Sequence, residues 1–153
     1  MELTRRPTPE RSTVAPLQES GDSRPVALCL HEIPGESPHL DLFLGPSGPF
    51  QEDDRVLDTW RLPSSPMDLA RSERIPIEAL DLHRGKYVRL DAPIVPSNGI
   101  GRVSPLLRGC STARAKSGGV RELLISWTDG SSCHLSLTPL ELTRLDGSEN
   151  ESR

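Results

Sequence analysis

Residues 30–44, LHEIPGESPHLDLFL, hold the side chains best suited to chemistry: His31, His39 and Asp41, gathered around a Pro34-Gly35 turn. In a strand over 39–44, successive side chains point to opposite faces, so His39, Asp41 and Phe43 share one face and Leu40, Leu42 and Leu44 the other. The leucine face can pack on a core, which leaves His39 and Asp41 side by side on the far side. His31 ends the apolar run 26–30, and the turn can fold it back beside them. Two imidazoles and a carboxylate suit Mn, Zn or Fe and leave coordination positions open for water or substrate.

The elements that must position these residues are short. Twelve Gly and 15 Pro in 153 residues, with few aromatics, argue against a helical bundle and for strands joined by turns. Strands are expected at 24–30, 39–44, 55–62, 86–94 and 99–107. A hairpin of 120–128 and 132–138 is joined through Asp129-Gly130, a favoured turn pair. Residues 67–71 allow one helical turn, 75–80 are too interrupted for a long helix, and 113–119 read as a connector. The fold class is therefore all-β, a small closed or partly open β-barrel of about six to eight strands. The barrel is placed at 24–145, between a disordered extension at 1–23, too polar to offset its ordering, and a flexible tail at 146–153.

The net charge of −4 supplies no overall basic footprint, so any nucleic-acid contact has to be local. No apolar run approaches the roughly 18 residues of a membrane span, and the N-terminus lacks the apolar stretch of a signal peptide. Cys29, Cys110 and Cys133 have no CxxC spacing, and a reduced, cytoplasmic setting is expected. Cys133 and His134 are adjacent on one strand, face opposite ways and cannot form a thiol–imidazole pair. Trp60 and Trp127 read as core, and Gly99-Ile100-Gly101 as a turn, because a dinucleotide site needs a third glycine and a following helix.

Taken in order, His31, then His39-Leu40-Asp41, Thr59-Trp60-Arg61-Leu62-Pro63, His83 with Tyr87, Leu90-Asp91-Ala92-Pro93 and Gly99-Ile100-Gly101-Arg102-Val103 form a pattern. It resembles the 3′-phosphoesterase domain of bacterial DNA ligase D and its stand-alone relatives, over roughly residues 24–140. The resemblance implies a β-barrel whose concave face holds a divalent metal, commonly manganese. It also implies an enzyme that trims 3′-phosphates or 3′-terminal ribonucleotides from DNA ends in repair. It makes His31, His39 and Asp41 the metal ligands, His83 the group at the scissile phosphate, and Tyr87 its neighbour. Arg74 lies near the family's arginine upstream of that histidine. Arg84, with Lys86 and Arg89, could offer positive potential to a phosphate backbone. The implied partners are DNA or RNA–DNA 3′ ends and DNA end-joining proteins, with the chain acting as a monomer and away from membranes.

The departures are specific. The gap between the first two histidines is longer by the Pro34-Gly35 insertion, and Asp91-Ala92 replaces Glu-Gly. Phe43 and Ser64 stand where the ligase-fused members place an arginine and a lysine, so two phosphate clamps are absent. The alternative is accordingly a catalytically weakened barrel that binds nucleic-acid ends or a repair partner without turnover. A third option is a β-barrel interaction module whose histidines are incidental.

Overall fold

A computed structural model describes residues 23–96 and 101–147. The expected N-terminal extension, apart from Ser23, lies outside the described residues, as do Gly99 and Ile100 of the expected turn and the tail beyond residue 147.

Nine strands form one antiparallel sheet among the described residues: β1 (Ser23–Glu32), β2 (His39–Leu44), β3 (Arg55–Leu62), β4 (Arg74–Pro76), β5 (Glu78–Arg84), β6 (Arg102–Ala115), β7 (Arg121–Trp127), β8 (Ser132–Leu137) and β9 (Glu141–Arg144). Their order across the sheet is β4-β9-β8-β7-β6-β1-β2-β3-β5. The two edge strands, β4 and β5, are joined in the chain through Ile77 alone. The sheet therefore has to curl until its edges meet at that corner, yet no ladder joins β4 to β5. The architecture is the expected all-β one, in its open form.

Alternation explains which residues go where. Val26, Leu28, Leu42, Leu44, Trp60 and Leu62 from β1–β3 face inward and pack on Leu123, Ile125, Trp127, Leu135, Leu137 and Leu142. The opposite face of β1–β3 is also covered: Ala27, Cys29, Phe43 and Leu57 form a second cluster with Val88 and Val103. Burial on both faces is why residues 26–30 read as a continuous apolar run and not as an alternating one.

Several local expectations are corrected. Ser23 belongs to β1, which gives it a ladder partner in Thr112. Residues 86–94 are not a strand: a 3-10 turn spans Gly85–Val88, and only Ile94 bridges, to Val103. Their apolar side chains, Val88, Leu90 and Ile94, lie over the second cluster as a cap. Gly85 makes that reversal, because a Cβ there would meet the Phe50 ring at 2.5 Å and the Gln51 carbonyl oxygen at 2.7 Å. The expected connector at 113–119 begins as the end of β6, which runs to Ala115. Strands β4, β5 and β9 were not expected; β4 and β9 are too short to display a period, and Pro76 interrupts the run leading into β5. The Asp129-Gly130 hairpin forms as expected, with Gly130 at φ 95° and β7 paired to β8 from Arg121↔Leu137 to Ser126↔Ser132. No helix among the described residues is long and apolar enough to cross a membrane.

The outer face of β6–β8 carries a separate ion network. Glu122 takes contacts from Arg114 at 3.0 Å and Lys116 at 3.1 Å, and pairs with His134. Cys133, by contrast, is buried in the main core, so it and His134 do face opposite ways. Burial pushes the Glu122 carboxyl up, but the hydrogen bonds from Arg114, Lys116 and His134 outweigh it and hold its pKa at about 2. A carboxyl lowered on folding contributes stability that is present above its unfolded pKa and is lost as pH falls through the folded one. Acid denaturation should therefore steepen between about pH 4.5 and 2. Glu122→Gln should flatten that limb while its stability near pH 3 approaches the wild type's, as read by urea unfolding at stepped pH.

Candidate metal centre

The β1–β2 hairpin assembles the three ligands. In its register His31 stands directly across from His39, and Cys29 across from Asp41. Directly opposed residues on an antiparallel pair have Cβ atoms about 4.5–5.5 Å apart, so the two imidazoles meet without further folding. Their ring centroids are 4.8 Å apart at an interplanar angle of 71°. The turn that makes this register holds Gly35 at φ 84° and a Glu36 N–H donating to the Ile33 carbonyl at 3.0 Å. The Pro34-Gly35 insertion thus lengthens the loop without moving the histidines out of register.

Asp41 is 2 % exposed and divides its carboxylate between the rings. Its Oδ2 lies 3.3 Å from His31 Nδ1, and its Oδ1 lies 3.5 Å from His39 Nε2. His39 Nε2 and Asp41 Oδ1 are both buried and have no hydrogen-bond partner among the described residues. Ligand atoms placed about 2.1 Å from one ion at tetrahedral or octahedral angles stand about 3.0–3.4 Å apart. The 3.3 Å separation falls within that range and the 3.5 Å one just above it, and one donor atom from each of the three residues lies within 4.8 Å of the others. The group can hold a metal ion.

The electrostatics agree with that donor set. Burial lifts the Asp41 pKa above the ordinary carboxylate range, against the pull of His39, His31 and Arg61. Burial likewise lowers His39, only partly offset by Asp41, so its imidazole favours the neutral form that ligates metal. Cys29 lies across from Asp41 but is no competing ligand or nucleophile. Burial, with a smaller push from Asp41, lifts its thiol to about 12.

Beside the trio lies a cavity of about 410 Å³. His31 and Asp41 line it, together with Phe43, His83 and Tyr87, while His39 adjoins it through Asp41. Phe43 stacks on Tyr87 at 5.4 Å and 14°, and tilts against His83 at 5.5 Å. His83, which spacing alone reads as a loop residue, is in fact on β5 and reaches this cavity. Its Nδ1 is 2.8 Å from the Asp81 carbonyl, which can only accept, so Nδ1 carries the proton and Nε2 is left for a ligand. Tyr87 comes from the Gly85 turn, and burial raises its pKa, which keeps its hydroxyl protonated as a donor.

Four cationic side chains share the lining: Arg55, Arg61, Arg84 and Lys86. Arg84 and Lys86 were named from the sequence; Arg55 and Arg61 were missed. Their signal was the alternation of 55, 57, 59 and 61 along β3, which acquires meaning only once Arg61 is paired opposite Asp41. Two residues named from the sequence stand elsewhere. Arg89 stacks over Phe50 at 4.2 Å and donates to the Phe50 carbonyl. Arg74 lies on β4 and pairs with Glu141 at 3.6 Å. Phe43 is packed in the second cluster at 1 % exposure, so an aromatic ring fills the place where the resemblance expects a cation.

Fold and site together define an all-β protein with a two-histidine, one-aspartate group that could hold a metal ion at the wall of a cationic cavity. No protein-family model and no curated protein matches the chain.

Proposed function

We propose that the protein is a metal-dependent phosphoesterase that acts on the 3′ ends of nucleic-acid strands, removing a 3′-phosphate or a 3′-terminal ribonucleotide during DNA repair. The observation that carries this reading is one cavity lined by His31 and Asp41 of the trio that could hold a metal, an oriented histidine, a protonated tyrosine and four cations. Manganese is the preferred ion, with zinc as the second choice, since a mixed nitrogen and oxygen donor set suits both. Bound there, the ion supplies Lewis-acid polarisation of a phosphoryl oxygen.

The chain's own residues supply the rest. Arg61, across the ladder from Asp41, offers positive charge to the reacting phosphate, and Arg84 and Lys86 offer it to the rest of the strand by charge-assisted hydrogen bonds. His83, with Nδ1 tied to the Asp81 carbonyl, presents Nε2 to the phosphoryl group or the departing oxygen, where it can donate when protonated. The Tyr87 hydroxyl adds a neutral donor, and the Phe43–Tyr87 stack holds that ring in place. A cytoplasmic setting beside DNA end-joining proteins belongs to this reading through the resemblance alone.

The second reading, end binding without turnover, draws on the ring of Phe43 where the resemblance has an arginine. One assay separates the two: a DNA primer ending in a 3′-phosphate or a single ribonucleotide, incubated with manganese. Turnover is expected, and His83→Ala should lower kcat by about 10²–10⁴-fold while metal uptake stays intact. Tight binding of the primer with no product would favour the second reading. Full turnover by His83→Ala would remove His83 from the mechanism.

A further inference from the structure

The cations around the cavity divide into two groups. Arg61 belongs to the metal-binding end: it stands across β2–β3 from Asp41, and its Nε is buried without a hydrogen-bond partner. Its one carboxylate contact, to Glu78, is long at 4.0 Å. Arg55 and Arg84 belong to the other end, where they are direct cross-strand partners on β3 and β5. Six residues of β3 separate Arg55 from Arg61, at most about 20 Å of strand at 3.3 Å per residue, since the ladder to β5 is irregular at Arg55/Leu57 and Leu57/Thr59. Phe43, His83 and Tyr87 line the same cavity.

The Arg55 end is electrostatically unsatisfied. Like charges set directly opposite one another destabilise a ladder. Lys86 adds a third positive charge, 5.6 Å from the centroid of the Tyr87 ring. Among the described residues, no carboxylate pairs with Arg55, Arg84 or Lys86, whereas Arg61, Arg74, Arg108, Arg114, Arg121 and Arg144 each have one. Arg61 is paired opposite Asp41 on the β2–β3 ladder, and Arg55 opposite Arg84 on the β3–β5 ladder, so the two groups sit at different positions along one strand. Two cationic groups six residues apart along β3 suit two phosphates better than one.

Resting on the phosphoesterase reading above, we infer that Arg55, Arg84 and Lys86 form a second anion subsite that takes an internucleotide phosphate of the same strand whose terminal phosphate lies at the metal-binding end. The shared chemistry is a ligand with two separated phosphates across an aromatic wall. The ligand is therefore a nucleic-acid strand of two or more nucleotides, as opposed to a free nucleoside monophosphate. Arg84, named from the sequence as a substrate-binding residue, then grips the strand and not the scissile group.

The test uses the full chain with manganese and two non-hydrolysable probes, an oligodeoxynucleotide ending in a 3′-methylenephosphonate and a mononucleoside 3′-methylenephosphonate. Binding is read by calorimetry, and Arg55 is chosen because it is exposed, so the fold should tolerate its replacement. Arg55→Met is expected to weaken the oligonucleotide about tenfold more than the mononucleotide, the worth of one charge-assisted hydrogen bond. Arg55→Lys should recover part of that difference. Neutral methylphosphonate linkages are then placed one at a time at the first three internucleotide positions. One of them should weaken wild-type binding and abolish the effect of Arg55→Met. Equal losses on both probes, or indifference to every neutral linkage, would overturn the subsite while leaving the phosphoesterase reading intact. A wild-type chain that binds manganese but neither probe would overturn both.

Discussion

Asp41→Ala should abolish specific metal uptake. The wild-type chain, given manganese or zinc at a thousandfold excess over Kd, is expected to gain about 4 kcal/mol of unfolding free energy, because the ion binds the folded state alone. The variant should gain nothing measurable at the same concentration. The reason is geometric: Asp41 lies 3.3 Å from His31 and 3.5 Å from His39, so its loss removes the carboxylate that both imidazoles share. Thermal or urea unfolding with and without metal reads the difference. An Asp41→Ala protein stabilised as much as the wild type would remove the metal centre, and with it the enzymatic proposal.

The metal-free protein should respond in the opposite sense. Burial raises the Asp41 pKa on folding, so between the unfolded value and the folded one the native state binds more protons. Stability therefore falls as pH rises through that window, and at neutral pH the folded state carries the full cost of a buried carboxylate. Asp41→Asn removes that cost and should leave the apo protein at least as stable as the wild type at pH 7. The variant still holds His39, whose pKa is lowered by burial and no longer lifted by an anion beside it. Its stability should then fall as pH drops below the ordinary histidine value of about 6.5, where the unfolded chain takes up the proton first.

Phe43→Ala should cost about 3–5 kcal/mol, the range for truncating a fully buried aromatic. Phe43 is 1 % exposed, packs with Cys29 and Leu57 in the second cluster, and supports both Tyr87 and His83. The midpoint of urea unfolding should drop at an unchanged m-value. Phe43→Arg, which would restore the side chain that the resemblance expects, should be worse still, since a guanidinium there has no buried anion closer than the already shared Asp41. An arginine variant as stable as the wild type would mean that the cluster opens readily, and the rigid aromatic wall would have to be abandoned.

Much of the site was legible because strand alternation is a local property. His39, Asp41 and Phe43 had to share a face once 39–44 was a strand, and the leucines between them had to face a core. The turn at Pro34-Gly35 implied that His31 returns to the same neighbourhood. His83 was harder. Leu82-His83-Arg84-Gly85 has the composition of a loop, and it forms a strand edge only because β3 supplies a partner, with Leu57 opposite His83. Strand propensity over 86–94 was real but was overridden: those apolar residues are worth more as a lid over Ala27, Cys29 and Phe43 than as one more ladder.

The residue pattern by itself determined the all-β class, the main hairpins and the grouping of two histidines with an aspartate, since each follows from period-2 alternation and turn chemistry over a few residues. Tertiary structure alone decided which strands lie side by side. Pairing β2 with β3 put Arg61 opposite Asp41, and pairing β3 with β5 put Arg55 opposite Arg84 and carried His83 into the cavity. Register between strands distant in sequence is chosen by the packing of two buried faces at once, a balance that no short stretch of chain encodes.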